Sequence, residues 1–108
     1  MILNKTTDEM INIEIRYADN FYRRFVGLLG KRNIDFAVLF CNLKSSAVHT
    51  HFMMFEIDVY FLDKNKRIYE KASLKPWKFH RPKKEAHYIL ECKKDELKIN
   101  VGDKLEFI

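Results

Sequence analysis

Two histidines, His49 and His51, stand one residue apart. On a strand, side chains alternate with a period of two, so both imidazoles project to one face. Glu56 follows five residues after His51. Two imidazoles and a carboxylate on a β-framework would suit Zn, Fe or Mn and support a metal-dependent enzyme. The odd spacing turns Glu56 to the opposite face unless the strand bends, and no second ligand motif follows downstream. His87 could add a ligand, but nothing around it supports that role. The first expectation is therefore no metal and no cofactor, with one histidine hydrogen-bonded in the core or at a rim and the other exposed.

Asp58 lies in the apolar run Ile57-Asp58-Val59-Tyr60-Phe61. Burying a carboxylate is costly unless it is paired. Asp58 is expected to meet a basic residue or backbone donors that hold two strands in register, and Arg24 is the first partner to test. The alternative is a ligand contact or a general base with a raised pKa. Trp77 lies in Lys75-Pro76-Trp77-Lys78-Phe79-His80-Arg81. The expectation is that it plugs the end of a β-sandwich while the lysines stay solvated. The other reading is a recognition loop, an aromatic stacking surface among cations for a sugar, a nucleobase or an anion.

The formal net charge is +5, but it is concentrated. Lys64–Lys84 carries nine basic residues and one acid, Glu70, so this stretch is +8 and the rest of the chain −3. It could be a nucleic-acid footprint. No nucleic-acid-binding signature accompanies it, and a solvated face is the plainer reading. Nucleophilic chemistry has little support. There is no GxSxG elbow and no phosphate-binding glycine loop, and Ser45-Ser46 before His49 is weak evidence for a dyad.

The elements that must position these residues are short. The chain has 108 residues, 47% hydrophobic and 32% charged, with nine Phe, five Tyr and one Trp. That suits one globular domain over residues 1–108 with an aromatic-rich core. No apolar window is long enough to span a membrane, and the N-terminus does not read as a signal peptide. Cytoplasmic residence is expected. Cys41 and Cys92, 51 residues apart, are expected to be reduced and buried.

Met10–Tyr17 alternates as a half-buried strand. Asp19 can cap a short helix with Phe21, Phe25, Leu28 and Leu29 on one stripe and Gly30 as its stop. Ala37–Leu43 is an apolar run of strand length. Val48–Leu62 predicts two strands or one bent strand, with the break near Met54–Glu56. Asp63–Lys66 is a turn and Arg67–Ala72 the returning arm of a hairpin. Pro76 and Pro82 bracket an edge or loop. Ala86–Cys92 is a strand, Lys93–Leu97 one helical turn, and Lys104–Ile108 a last strand after the turn at Gly102. Seven or eight strands and one or two short helices predict a mainly β fold, a small sandwich or barrel.

Four blocks now resemble a known family. Ala18–Leu29, with Arg24 and Gly27, looks like its "AD-T-F-x-x-R-x-x-G-L-M" block. His49–Asp63 resembles "HTFFMRFPIDVVFLD". Leu74–Trp77 is the third, and Tyr88–Glu91 followed by Val101–Leu105 the fourth. In this order and spacing they resemble the domain-of-unknown-function family 192, also called uncharacterised protein family 0127. The resemblance implies a jelly-roll-like β-sandwich of bacterial type and carries no settled activity. Three residues depart from the pattern: Met54 stands for an Arg, Glu56 for a Pro and His51 for an apolar residue. The reading that follows is a small-ligand-binding or accessory module for a small molecule or anionic partner. Its pocket would be lined by Arg24, His49, Asp58, Lys75 and Trp77. The alternatives are a metal-dependent enzyme using His49, His51 and Glu56, and nucleic-acid association through residues 64–84.

Overall fold

The computed structural model describes residues 1–18, 34–43, 45–51 and 53–108. The described residues form ten strands: β1 (Ile2–Asn4), β2 (Glu9–Ile11), β3 (Glu14–Ala18), β4 (Phe36–Phe40), β5 (Val48–His49), β6 (Ile57–Leu62), β7 (Ile68–Leu74), β8 (Phe79–His80), β9 (Tyr88–Lys93) and β10 (Leu105–Phe107). The protein is mainly β, and the described residues contain no helix. The helix expected from Asp19 lies outside the described residues. Lys93–Leu97 is a hydrogen-bonded turn rather than a helical one: Asp95 takes φ 63°, and the Glu96 amide reaches back to the Lys93 carbonyl at 3.1 Å.

A five-stranded sheet, ordered β3-β4-β9-β6-β7, is the centre of the molecule. Its inner strands carry apolar side chains on both faces, which is why β4 and β6 read as continuous hydrophobic runs and are buried throughout. One face holds Phe36, Val38, Phe40, Ile57, Val59, Phe61 and Ile89, packed with Val48 of β5 and with Met53. The other holds Ala37, Leu39, Tyr60, Leu62, Leu90 and Cys92, packed with Ile2 of β1 and Leu105 of β10. A three-stranded sheet, β10-β1-β2, thus covers the second face, and the two-stranded β5-β8 sheet lies on the first.

The stretch Met10–Tyr17 is two strands, not one. β2 pairs with β1 in the covering sheet, while β3 pairs with β4 in the central one. Ile13, buried between them, keeps the predicted alternation intact across the switch of sheet. The β3–β4 pair is parallel, whereas jelly rolls are built of antiparallel strands. Val48–Leu62 breaks into β5 and β6, as its length predicted. The Asp63 carboxylate accepts from the Asn65 and Arg67 amides at 2.8 and 3.1 Å, closing the β6–β7 hairpin.

Both cysteines are free thiols. Cys92 is fully buried as expected, but Cys41, just past the end of β4, is only half-buried. Burial, reinforced by the carboxylates of Asp58, Glu96 and Glu91, pushes the Cys92 thiol well above its usual value. A thiolate is the reacting form. Titration of the native protein with a disulfide reagent is therefore expected to modify Cys41 and to reach Cys92 only after unfolding. Two thiols reacting at equal rates in the native state would refute this.

Candidate functional site

The site grows from one buried threonine. Thr50 follows β5 directly and is 0% exposed. Its hydroxyl donates to the Lys75 carbonyl at 2.6 Å and accepts from the Lys78 amide at 2.9 Å. Its own amide donates to the Lys78 carbonyl at 2.8 Å, and its carbonyl accepts from the Trp77 amide at 3.0 Å. These four bonds clamp the turn between β7 and β8. Within the turn Trp77 sits at φ 64°, a left-handed conformation that strains a bulky side chain.

That backbone holds the indole outward. Trp77 is 59% exposed, so it does not plug the sandwich. The His51 ring lies 5.5 Å from Trp77, and the His49 ring lies 4.9 Å beyond it in a stacked arrangement. His49 is paired in register with Phe79, which is also 59% exposed. In β5 and β8 the partners Val48 and His80 turn inward, with His80 against Phe61 at 5.5 Å. The alternation therefore turns His49 and Phe79 to the opposite side, where Phe79 is exposed and His49 half-buried. The result is a ledge of rings: Trp77, His51, His49 and Phe79.

Cations rim the ledge. Lys75 and Lys78 flank Trp77 in sequence and are exposed. Arg81 lies over Phe79, 5.9 Å from the ring centre. Of the predicted site residues, His49 and Trp77 both neighbour the His51 ring, Lys75 lies in the same turn as Trp77, and Arg24 lies outside the described residues. Asp58 does not join them. It projects from β6 with Tyr60, opposite to Ile57 and Val59, so the central sheet separates it from the ledge. Its oxygens accept from the Ser73 hydroxyl at 2.6 Å and the Asp95 amide at 2.9 Å, and Lys71 lies 3.7 Å away. This is the strand-tying role, with Lys71 as the basic partner.

The metal reading meets the same geometry. The His49 and His51 rings face one another rather than converging on a point. The Glu56 carboxylate is engaged by Lys94 at 3.3 Å. His87 bonds through its amide to Leu62, at the far end of β6 from Ile57, which pairs with the Leu74 that leads into the ledge turn. Among the described residues no group of three or more His, Cys, Asp or Glu side chains could hold a metal ion. Ser46 forms no dyad with a histidine that the structure records: its hydroxyl donates to Glu85 at 2.9 Å and accepts from the Ala86 amide at 2.6 Å.

The basic stretch is not one surface either. Arg67 donates to the Gly102 carbonyl at 2.6 Å, and Lys66 lies over Tyr88, both at the turn end of the β6–β7 hairpin. Lys71 sits with Asp58 and Lys84 over Tyr69. Lys75, Lys78 and Arg81 belong to the ledge end, about 20 Å away along a seven-residue strand. Sequence reasoning had no role for Thr50 or Phe79. The signals were present: a lone hydroxyl between two histidines, and an aromatic two residues after Trp77.

Glu70 fastens β8 and the segment after it to β7. Its carboxylate meets His80 Nε2 at 2.6 Å and accepts from the Lys83 amide at 2.9 Å. Burial pulls its pKa up, but the Lys83 and His80 hydrogen bonds outweigh this and hold it below the ordinary 4.5. A depressed carboxylate contributes stability that is present above its unfolded pKa and lost as pH falls through the folded one. Acidification from pH 5 to 3 is therefore expected to lower the melting temperature, and Glu70→Gln to flatten that slope. An unchanged acid limb in Glu70→Gln would contradict the assignment.

The chain has relatives. The sequence model of DUF192, described as "Uncharacterized ACR", matches residues 2–107. A UPF0127 protein of Pyrococcus furiosus is 39% identical over 112 residues, covering 98% of this chain and 97% of that protein. Another, from Pyrococcus horikoshii, is 35% identical, covering 99% of this chain and 98% of that protein. These relatives are archaeal, so the bacterial cast given by the motifs does not bound the family. Two solved bacterial structures share the fold at low identity. A Novosphingobium aromaticivorans protein of unknown function superposes with a TM-score of 0.76 at 16% identity, covering 88% of this chain and 75% of that one. A Sinorhizobium meliloti protein solved as a candidate transcription regulator gives 0.79 at 18% identity, covering 97% and 88%. The chain is a member of the uncharacterised DUF192/UPF0127 family.

Proposed function

We propose that the protein is a binding module whose ledge of Trp77, His51, His49 and Phe79 receives an anionic ligand with a flat apolar face. The carrying observation is the backbone at Trp77. A bulky residue at φ 64° is disfavoured by about 1–3 kcal/mol, yet four hydrogen bonds to Thr50 are arranged around it and leave the indole 59% exposed. The indole is not part of the core, and display of the ring is a reason to hold that strain.

The chemistry of the rim selects the ligand's charge. Lys75, Lys78 and Arg81 accompany the ledge and no acid lies between Lys71 and Lys84, so a neutral sugar, which calls for acceptors as well as donors, fits less well than an anion. A reducing compartment such as the cytoplasm suits two free thiols. No helix among the described residues is long and apolar enough to cross a membrane.

The anionic dye 8-anilinonaphthalene-1-sulfonate tests this reading. Its emission should rise on the native protein, weaken with added salt, and fall at least about tenfold in affinity in Trp77→Ala. Trp77 is the chain's one tryptophan, so quenching of its emission reads the same site. Equal dye binding by a folded Trp77→Ala variant would overturn the proposal.

A further inference from the structure

We infer that the ligand of this ledge is a short single strand of nucleic acid, its bases stacking on Trp77 and Phe79 and its phosphates held by Lys75, Lys78 and Arg81. The inference rests on the reading of the ledge as a binding site and adds the ligand's class. Two rings are exposed here, not one. Trp77 and Phe79 are each 59% exposed; the His51 ring neighbours Trp77, and His49, stacked on His51, is the register partner of Phe79. A single planar ligand needs one ring, whereas successive bases need a row. Each base offers a π-face, so such a row tolerates sequence.

Cations are spread along the segment that carries the two exposed rings. Lys75 precedes Trp77, Lys78 lies between the two exposed rings in sequence, and Arg81 lies 5.9 Å from the centre of Phe79. A mononucleotide would concentrate its charge at one end; a phosphodiester chain spreads it at the spacing of its bases. Duplexes fit poorly, because their bases are stacked on one another and closed to side-chain rings. The remaining cations of the 64–84 stretch do not belong to the footprint, since Lys66 and Arg67 are engaged at the far end of the hairpin. About three phosphates would then be neutralised, which predicts a slope of about −2 in log affinity against log salt for a single strand.

The test uses the full chain and a fluorescein-labelled adenylate octamer, read by anisotropy and by quenching of Trp77. Saturable binding at low salt is expected, with a salt slope near −2, weaker binding of the same sequence in a duplex, and weaker quenching by AMP. Trp77→Ala with Phe79→Ala should weaken octamer binding at least about tenfold, since each stacked base contributes substantially. Replacing Lys75, Lys78 and Arg81 by alanine should flatten the salt slope. Both sets of positions are exposed, and melting curves check that the variants fold. Octamer binding that survives loss of both rings, or a duplex bound as tightly as the single strand, overturns the inference. So does dye binding at the ledge with no octamer binding, which leaves the ledge itself standing. Failure of dye and octamer together overturns both readings.

Discussion

Asp58→Ala is expected to lower the stability of the protein by about 3 kcal/mol, because the carboxylate ties three segments together from a fully buried position. One oxygen accepts from Ser73 on β7, the other from the Asp95 amide in the turn after β9. Lys71 approaches at 3.7 Å, but its side chain is 37% exposed, so screening leaves that pair a small share. Alanine leaves the Asp95 amide and the Ser73 hydroxyl without their acceptor and opens a void beside Tyr60 and Cys92. Asparagine keeps one acceptor and should lose roughly half as much. In a domain of this size 3 kcal/mol corresponds to a fall in melting temperature of about 15 °C. Urea unfolding of the two variants measures the effect. A stable Asp58→Ala protein that has lost only dye or octamer binding would return Asp58 to the site.

Much of the fold was legible because the signals are local. The buried runs of β4 and β6 follow from side chains that are apolar on both faces, and the hairpin follows from Asp63-Lys64-Asn65-Lys66. The split of Met10–Tyr17 was not legible. Its alternation is continuous, and only tertiary pairing decides that Met10 joins β1 while Arg16 joins β4. The site was half legible for a related reason. Composition marks Trp77 and its lysines, but whether the indole is core or ledge depends on a backbone angle set by Thr50, 27 residues away in sequence. Asp58 was grouped with His49 because they share a motif; alternation along β6 then sends it to the other face of the sheet. Proximity in a motif does not carry across a sheet.

That dependence makes Thr50→Val the most informative change at the site. Valine keeps the shape of the side chain but removes the donor to the Lys75 carbonyl and the acceptor for the Lys78 amide. A loss of about 2 kcal/mol is expected, near the middle of the range for a buried polar group left without its partner. The effect on the ledge should exceed that on the fold. The two backbone bonds that remain, Thr50 to Lys78 and Trp77 to Thr50, must then hold a left-handed tryptophan alone. Relaxation toward negative φ would turn the indole away from His51, and dye affinity should fall at least about tenfold while the β-sheet circular-dichroism signal persists. Thr50→Ser, which keeps the hydroxyl, should restore most of both. Trp77→Gly separates strain from display: glycine accepts φ 64° freely, so this variant should be about 1 kcal/mol more stable than Trp77→Ala and equally unable to bind. If Thr50→Val leaves dye affinity unchanged, the ring is positioned by something other than the clamp. If Trp77→Gly is no more stable than Trp77→Ala, the left-handed backbone is not strained, and display of the ring is not what it serves.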